Sequence, residues 1–248
     1  MATLVIILGV NLMSLAYTKN SIGIGITTKD RGAMARETIR QWRLYTPADI
    51  KIVVVDDASA IPAKDATFRF KRNVGIARAK NKCLELLDDC EHIFLSDDDV
   101  FPIISNWWVS YINSGEKHLS YIFPMVNKTA SDIIGSTDKI NIWSHPRGCL
   151  LYIHHDVLDR VGGMNTNYDK WGYEHKDWSN RIHNAGLTPY PYMDVVGSHK
   201  IFKSLDQDGS IGSSVGGAWQ SQYIKVYREE YEKSLTSDEY KEYKDGIC

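Results

Sequence analysis

The sequence predicts one α/β domain with a mostly parallel central sheet and helices on its faces. Three observations carry that expectation. Short β-branched runs alternate with helical stretches from Ile22 onward. Two of those runs stop abruptly at acids, Asp56-Asp57 and Asp97-Asp98-Asp99, as if they share one edge of a parallel sheet. A chain of 248 residues, 43% hydrophobic and 24% charged, can also bury one good core.

Ile22 to Ile26 alternates Ile with Gly and runs into the polar loop Thr27-Thr28-Lys29-Asp30-Arg31, which reads as a strand, a loop and then a helix over Ala33 to Leu44. Ile52 to Val55 is the second strand. Asn73-Val74-Gly75 turns the chain into a helix over Ile76 to Leu87, with Ile76, Ala79, Cys83, Leu84 and Leu87 at helical spacing. Ile93, Phe94 and Leu95 form the strand that ends in the acidic triplet. Strand, helix, strand, helix, strand is half of a doubly wound nucleotide-binding sheet, yet neither a P-loop nor a Gly-x-Gly-x-x-Gly fingerprint is present.

Beyond Pro102 the pattern changes to a concentration of rings, Trp107, Trp108, Tyr111 and Tyr121, suited to a core and also to sugars. Ser144-His145-Pro146-Arg147-Gly148 leads into a strand over Leu150 to Ile153, and His155 to Val161 is helical until Gly162-Gly163 ends it. A helix can start at Glu174, and Met193 to Gly197 reads as a short strand. Residues 207 to 217 are rich in Gly and Ser, the composition of a lid or of a linker. Trp219 to Tyr243 reads as a charged helix whose Tyr223, Tyr227 and Tyr231, spaced by four, dock on the domain.

Three adjacent carboxylates at a strand end repel one another unless a cation lies between them. A divalent metal framed by Asp97 and Asp99 is one answer, and a solvated acidic turn is the other. The second dense constellation, Tyr173-Glu174-His175-Lys176-Asp177, places two or three titratable groups at a loop-to-helix junction. Acids that complement a helix N-terminus would look the same. His199 can complete a metal site with the two carboxylates, because imidazole and carboxylate together suit Mn²⁺.

A net charge of -2 supplies no field for a polyanion, which weighs against nucleic acid as a partner. Cys83, Cys90, Cys149 and Cys248 show no zinc or disulfide spacing, so a reducing, cytoplasmic setting is the simpler expectation. Residues 2–17 leave three readings open: a buried extra strand, a signal or membrane anchor with a secretory route, or an extension upstream of the working domain.

Taken together, these motifs resemble the GT-A-fold nucleotide-sugar glycosyltransferases. Ile26 to Arg31 stands at that family's first nucleotide loop, Val55-Asp56-Asp57-Ala58-Ser59 at its base and ribose contact, and Asn73-Val74-Gly75 through Asn81 at its Asn-x-Gly helix. Lys80 takes the place of the usual Arg. The Phe94 to Pro102 segment and Trp171-Gly172-Tyr173-Glu174 are similar to animal β-galactosyltransferases, and the latter also to polypeptide N-acetylgalactosaminyltransferases. The resemblance implies a single Rossmann-like domain over residues 21–205, an extension at 1–20, and a loop and C-terminal helix at 206–248.

It also implies transfer from a nucleotide-diphosphate sugar, expected to be a UDP-sugar, to a glycan, protein or other hydroxyl acceptor. Thr28, Arg31, Asp56, Asp57, Lys80, Asp97 and Asp98 are then the donor-binding set, and Asp97, Asp99 and His199 hold Mn²⁺ or Mg²⁺. Two departures bear on mechanism. His175 stands where the galactosyltransferases carry their base Asp, and Val196 stands where they carry a thioether ligand. Glu174, His175 and Asp177 are the candidates for acid–base chemistry, with inversion and His175 as base expected. A retaining transferase, or a binding module that has lost its chemistry, remains the alternative.

Overall fold

The computed structural model describes residues 21–123, 132–205 and 217–244. The apolar extension at 1–20 and nearly all of the Gly/Ser-rich stretch lie outside the described residues. In chain order the first half holds β1 (Ile22–Thr28), α1 (Gly32–Tyr45), β2 (Lys51–Asp56), β3 (Phe68–Arg69), α2 (Ile76–Leu86), β4 (His92–Asp97), β5 (Val100–Pro102) and α3 (Val109–Ile112). The second half holds β6 (His118–Ser120), β7 (Ile133–Ser136), β8 (Ile140–Trp143), β9 (Leu150–His154), α4 (Asp156–Val161), α5 (Glu174–Asn184), β10 (Met193–Val195), β11 (Phe202–Ser204), α6 (Gly217–Val226) and α7 (Arg228–Ser234).

The main sheet has the order β3-β2-β1-β4-β9-β6. β1, β2, β3 and β4 pair in parallel, and β9 and β6 extend the sheet antiparallel. The expected mostly parallel α/β architecture is therefore present. Its parallel strands are buried on both faces, which is why they read as continuous apolar runs.

The Ile-Gly alternation of β1 has a packing cause. Ile22, Ile24 and Ile26 join one core with Phe94, Trp42, Trp107 and Phe202. The opposite face must be bare, because a Cβ on Gly25 would come within 2.5 Å of the Cys83 Cβ on α2. Ile93 and Leu95 belong to a second core on that face, with Val53, Val55, Leu84 and Trp178. Trp107, Trp108, Tyr111 and Tyr121 are all buried, so these rings fill the core.

Six short strands, β3, β5, β6, β7, β8 and β11, have no counterpart among the expected elements. Each is four residues or fewer, too short for a period-two pattern to stand out. The expected single C-terminal helix is instead α6 and α7 followed by an extended segment, which meets α4 where Lys241 bridges to Gly162. Among the described residues no helix is long and apolar enough to cross a membrane.

Candidate active site

The carboxyl ends of β1, β2 and β4 lie side by side, with Thr28 opposite Asp56 and Thr27 opposite Asp97. Loops beyond such an edge are where open α/β sheets bind ligands. The strand β4 ends at Asp97, and the turn that follows divides the acidic triplet. Asp97 follows Ile93 and Leu95 toward the α2 face, and its Oδ1 lies 2.9 Å from the Lys80 Nζ. Asp98 turns to the α1 face, where Thr28 Oγ1 donates to it at 2.6 Å, Arg31 pairs with it, and Thr38 donates to its carbonyl at 2.7 Å. Asp99 takes the second contact of Arg31 at 3.0 Å. The cations that separate the triplet are thus Arg31 and Lys80.

Asp98 is 3% exposed at its side chain, Asp99 10% and Asp97 32%, so the middle acid braces the loop and Asp97 is the one most open to solvent. Burial pushes the Asp98 carboxyl up, against the pull of Arg31 and Thr28. Burial and the neighbouring Asp97 push Asp99 up to about 6. Burial works against the Lys80 ammonium, but Asp97 and Glu174 outweigh it and hold its pKa above the ordinary range.

Asp56 and Asp57 are turned inward, which differs from a direct nucleoside contact. Asp56 is fully buried; its carboxylate accepts from the Ser59 and Ala63 amides and from Arg69, bonds that hold it below the usual range despite burial. Asp57 accepts from the Val74 amide at 2.6 Å and the Gly75 amide at 3.0 Å, while burial pushes its carboxyl up. These acids shape the loop walls and seat the start of α2. Gly75 is required there: its φ is +88°, and a Cβ would fall 1.6 Å from the Asp169 carbonyl oxygen.

Lys80 is the hub that joins both halves of the site. It lies on the buried side of α2, pairs with Asp97, donates to the Gly148 carbonyl and feels the charge of Glu174. Gly148 touches the His175 ring so closely that a Cβ there would lie 2.8 Å from it. His175 Nδ1 is 3.1 Å from Glu174 Oε1, and Glu174 Oε2 accepts from the Gly172 amide at 2.9 Å. The Glu-His pair at the start of α5 therefore lies beside Lys80, and through it beside Asp97. The turn Pro146-Arg147-Gly148 before an apolar strand was a visible signal for Gly148, but its carbonyl's role needed the fold.

Asp177 is not part of this group. Its carboxylate accepts from Arg181 Nε at 2.6 Å and from the Tyr168 hydroxyl at 2.9 Å, inside the second core. That removes it from the acid–base candidates: its oxygens are spent on a buried ion pair and it is 2% exposed.

The three-ligand metal set is also corrected. Ser204 stands opposite Val100, and the Leu205 amide donates to the Asp99 carbonyl at 2.9 Å, so β11 meets the triplet at its C-terminal end. His199 precedes β11 and is exposed, which places it at the far end of the β5–β11 ribbon. Among the described residues no three His, Cys, Asp or Glu side chains converge on a metal position. Asp97 and Asp99 by themselves still fit a hard divalent ion. With Asp98 and Glu174 they outnumber the nearby cations Arg31 and Lys80, and each disfavours the other's charge. One or two carboxylates completed by phosphate oxygens is an ordinary way to hold Mg²⁺.

The sequence agrees with this geometry. Residues 136–203 match a family model described as the N-terminal domain of galactosyltransferase. An uncharacterized glycosyltransferase of Acanthamoeba polyphaga mimivirus is 25% identical over 244 residues, covering 86% of this chain and 93% of its own. Among solved structures, GalNAc-T7 with UDP, GalNAc and Mn²⁺ superposes with a TM-score of 0.58 at 13% identity, over 87% of this chain and 49% of that one. TarS from S. aureus gives a TM-score of 0.50 at 12% identity, over 66% and 34%. The chain spans about half or less of the length of these two structures. Fold and sequence together give the chain the GT-A architecture and a likeness to glycosyltransferases. Within that class it resembles the galactosyl- and N-acetylgalactosaminyltransferases.

Proposed function

We propose that the chain transfers a sugar from a nucleotide-diphosphate sugar, a UDP-sugar first among them, to a hydroxyl acceptor with inversion. The observation that carries this reading is the cluster of Asp97, Asp99, Lys80, Glu174 and His175. UDP and Mn²⁺ accompany the GalNAc-T7 structure that shares this fold, which supports the same donor class here. Mn²⁺ or Mg²⁺ held by Asp97 and Asp99 would neutralise the diphosphate as the glycosidic bond breaks.

The chain's own groups do the rest. Lys80 and Arg31 supply positive charge at the edge where the diphosphate would lie. Glu174 accepts from His175 Nδ1, which fixes the tautomer with a lone pair on Nε2. That nitrogen can take the proton of an acceptor hydroxyl, and Glu174 stabilises the imidazolium that results, the logic of any base oriented by a carboxylate.

The test is UDP release from a panel of UDP-sugars with and without Mn²⁺, joined to NMR assignment of the product anomer. Asp99→Ala should abolish the metal-dependent release. His175→Ala should lower turnover by about a hundredfold or more and leave UDP affinity nearly unchanged. Full activity in Asp99→Ala, or a product that keeps the donor's configuration, would overturn the assignment.

A further inference from the structure

A row of aromatic rings runs from the residue before Glu174 along the C-terminal helices. Tyr173, the residue before Glu174, stacks on Tyr231 of α7 with centroids 4.2 Å apart and planes 8° from parallel. Tyr227 lies one turn earlier, edge-on to Tyr168 at 5.6 Å and against Gly172, where a Cβ would be 3.2 Å from its ring. Tyr223 follows, parallel to Tyr227 within 9° at 6.0 Å, and Trp219 follows that at 6.3 Å. Amide bonds from Tyr231 to Tyr227 and from Tyr227 to Tyr223 keep the helical spacing through the junction, so the four-residue repeat holds these rings on one side.

The outer part of this row serves no core. α6 buries none of its ten residues, and Trp219 is 58% exposed. A helix that leaves a Trp exposed and a Tyr half-exposed has a surface available to a ligand. Charge decides between the ligands that stack on rings. Lys225, Arg228 and Lys233 are matched by Glu229, Glu230 and Glu232, so the helices carry no excess of cations. Single-stranded nucleic acid requires such an excess along its backbone. A neutral saccharide does not: its pyranose units present C–H faces to flat rings and hydroxyls to the polar rims that tyrosines supply.

We infer that the row Trp219-Tyr223-Tyr227 is an acceptor subsite that binds an extended, uncharged oligosaccharide, whose terminal hydroxyl reaches the Glu174–His175 pair past Tyr173. This rests on the transferase reading of that pair.

Binding of cellohexaose, maltohexaose and chitohexaose to the full chain, compared with the matching monosaccharides by NMR titration, tests it. At least one hexasaccharide should bind about tenfold or more tighter than its monosaccharide. Trp219→Ala and Tyr223→Ala should each erase that length dependence while UDP and monosaccharide affinities hold. Equal affinity for short and long sugars, or a length dependence untouched by both substitutions, overturns the inference. So does tighter binding of a thymidine oligonucleotide than of any saccharide, or self-association of the chain that Trp219→Ala abolishes. Turnover of a UDP-sugar without length dependence would leave the transferase reading standing and remove the subsite; Trp219-dependent saccharide binding without turnover on any donor would do the reverse.

Discussion

Two charge-dense segments, Asp97-Asp98-Asp99 and Glu174-His175-Lys176-Asp177, are treated by the fold in parallel ways. In each, one acid is taken inside by an arginine, Asp98 by Arg31 and Asp177 by Arg181. The geometry of selection differs. The strand β4 ends at Asp97, and the turn after it brings both Asp98 and Asp99 to Arg31, with Asp98 the more enclosed of the two. On the helix, Glu174 and Asp177 are three residues apart and lie near one face, yet Tyr168 and Arg181 capture the second. Acidic clusters thus mix supports with working groups, and spacing alone separates them in neither segment.

Substitutions can break or sharpen that comparison. Asp177→Asn should have the largest effect on folding, because Arg181 is 1% exposed and would be left as an uncompensated buried charge. A loss of about 3–5 kcal/mol in urea-denaturation free energy is expected. An unchanged midpoint would mean that the Val161 and Gly163 carbonyls, which already accept from Arg181, suffice. Asp98→Asn should cost less, about 1–3 kcal/mol, since Arg31 keeps Asp99 and remains 21% exposed. Asp99→Asn is the contrast: with its carboxyl pushed up to about 6, the ionised side chain costs stability at neutral pH, so neutralising it should leave the urea-denaturation free energy unchanged or raise it while activity is lost. If Asp98→Asn and Asp99→Asn behaved alike, the division between brace and working group would be wrong.

The smallest effect is a pH slope set by two buried groups, Asp194 and His118. Burial pushes Asp194 up to about 7, although it accepts from Tyr111 and from the Ile122 and Val195 amides. Its folded pKa is raised, so its stabilisation is complete below about 4 and is lost as pH rises through about 7. Burial drives His118 down to about 4, so its contribution is complete above about 6.5 and is lost as pH falls toward 4. Between those limits the two slopes oppose each other. Asp194→Asn should unmask the histidine, and stability should then rise with pH between about 4 and 6.5 by up to about 1.4 kcal/mol per unit. Urea midpoints across that range, flat in both proteins, would refute the pairing.

Much of this fold is legible in sequence because β1, β2 and β4 are largely buried parallel strands, two of them stopped by acids, and α2 has apolar positions at helical spacing. The short antiparallel strands are not legible, since their partners are distant and three residues carry no period. At the site, Asp97, Asp99, Lys80, Glu174 and His175 are found together as residue identity and order suggest. The inward turn of Asp56, Asp57 and Asp177 could not be read, because it depends on amides and cations supplied by remote segments. The misplacement of His199 has a similar origin: β11 runs antiparallel to β5, which reverses the direction in which proximity to Asp99 grows.

The close approach of Gly75 to Asp169 also bears on how the chain is made. Lys170 Nζ donates to the Asn73 carbonyl across 97 positions, and its own carbonyl accepts from the Ile76 amide at 3.4 Å. Asn81 exchanges two bonds with the Met164 backbone, at 2.9 and 2.8 Å, across 83 positions. The loop that opens α2 therefore lacks its final partners until residue 170 has left the ribosome. Until then the nascent N-terminal half presents an unfinished edge, open to chaperones and to misassembly, and its last ordering step comes late in synthesis.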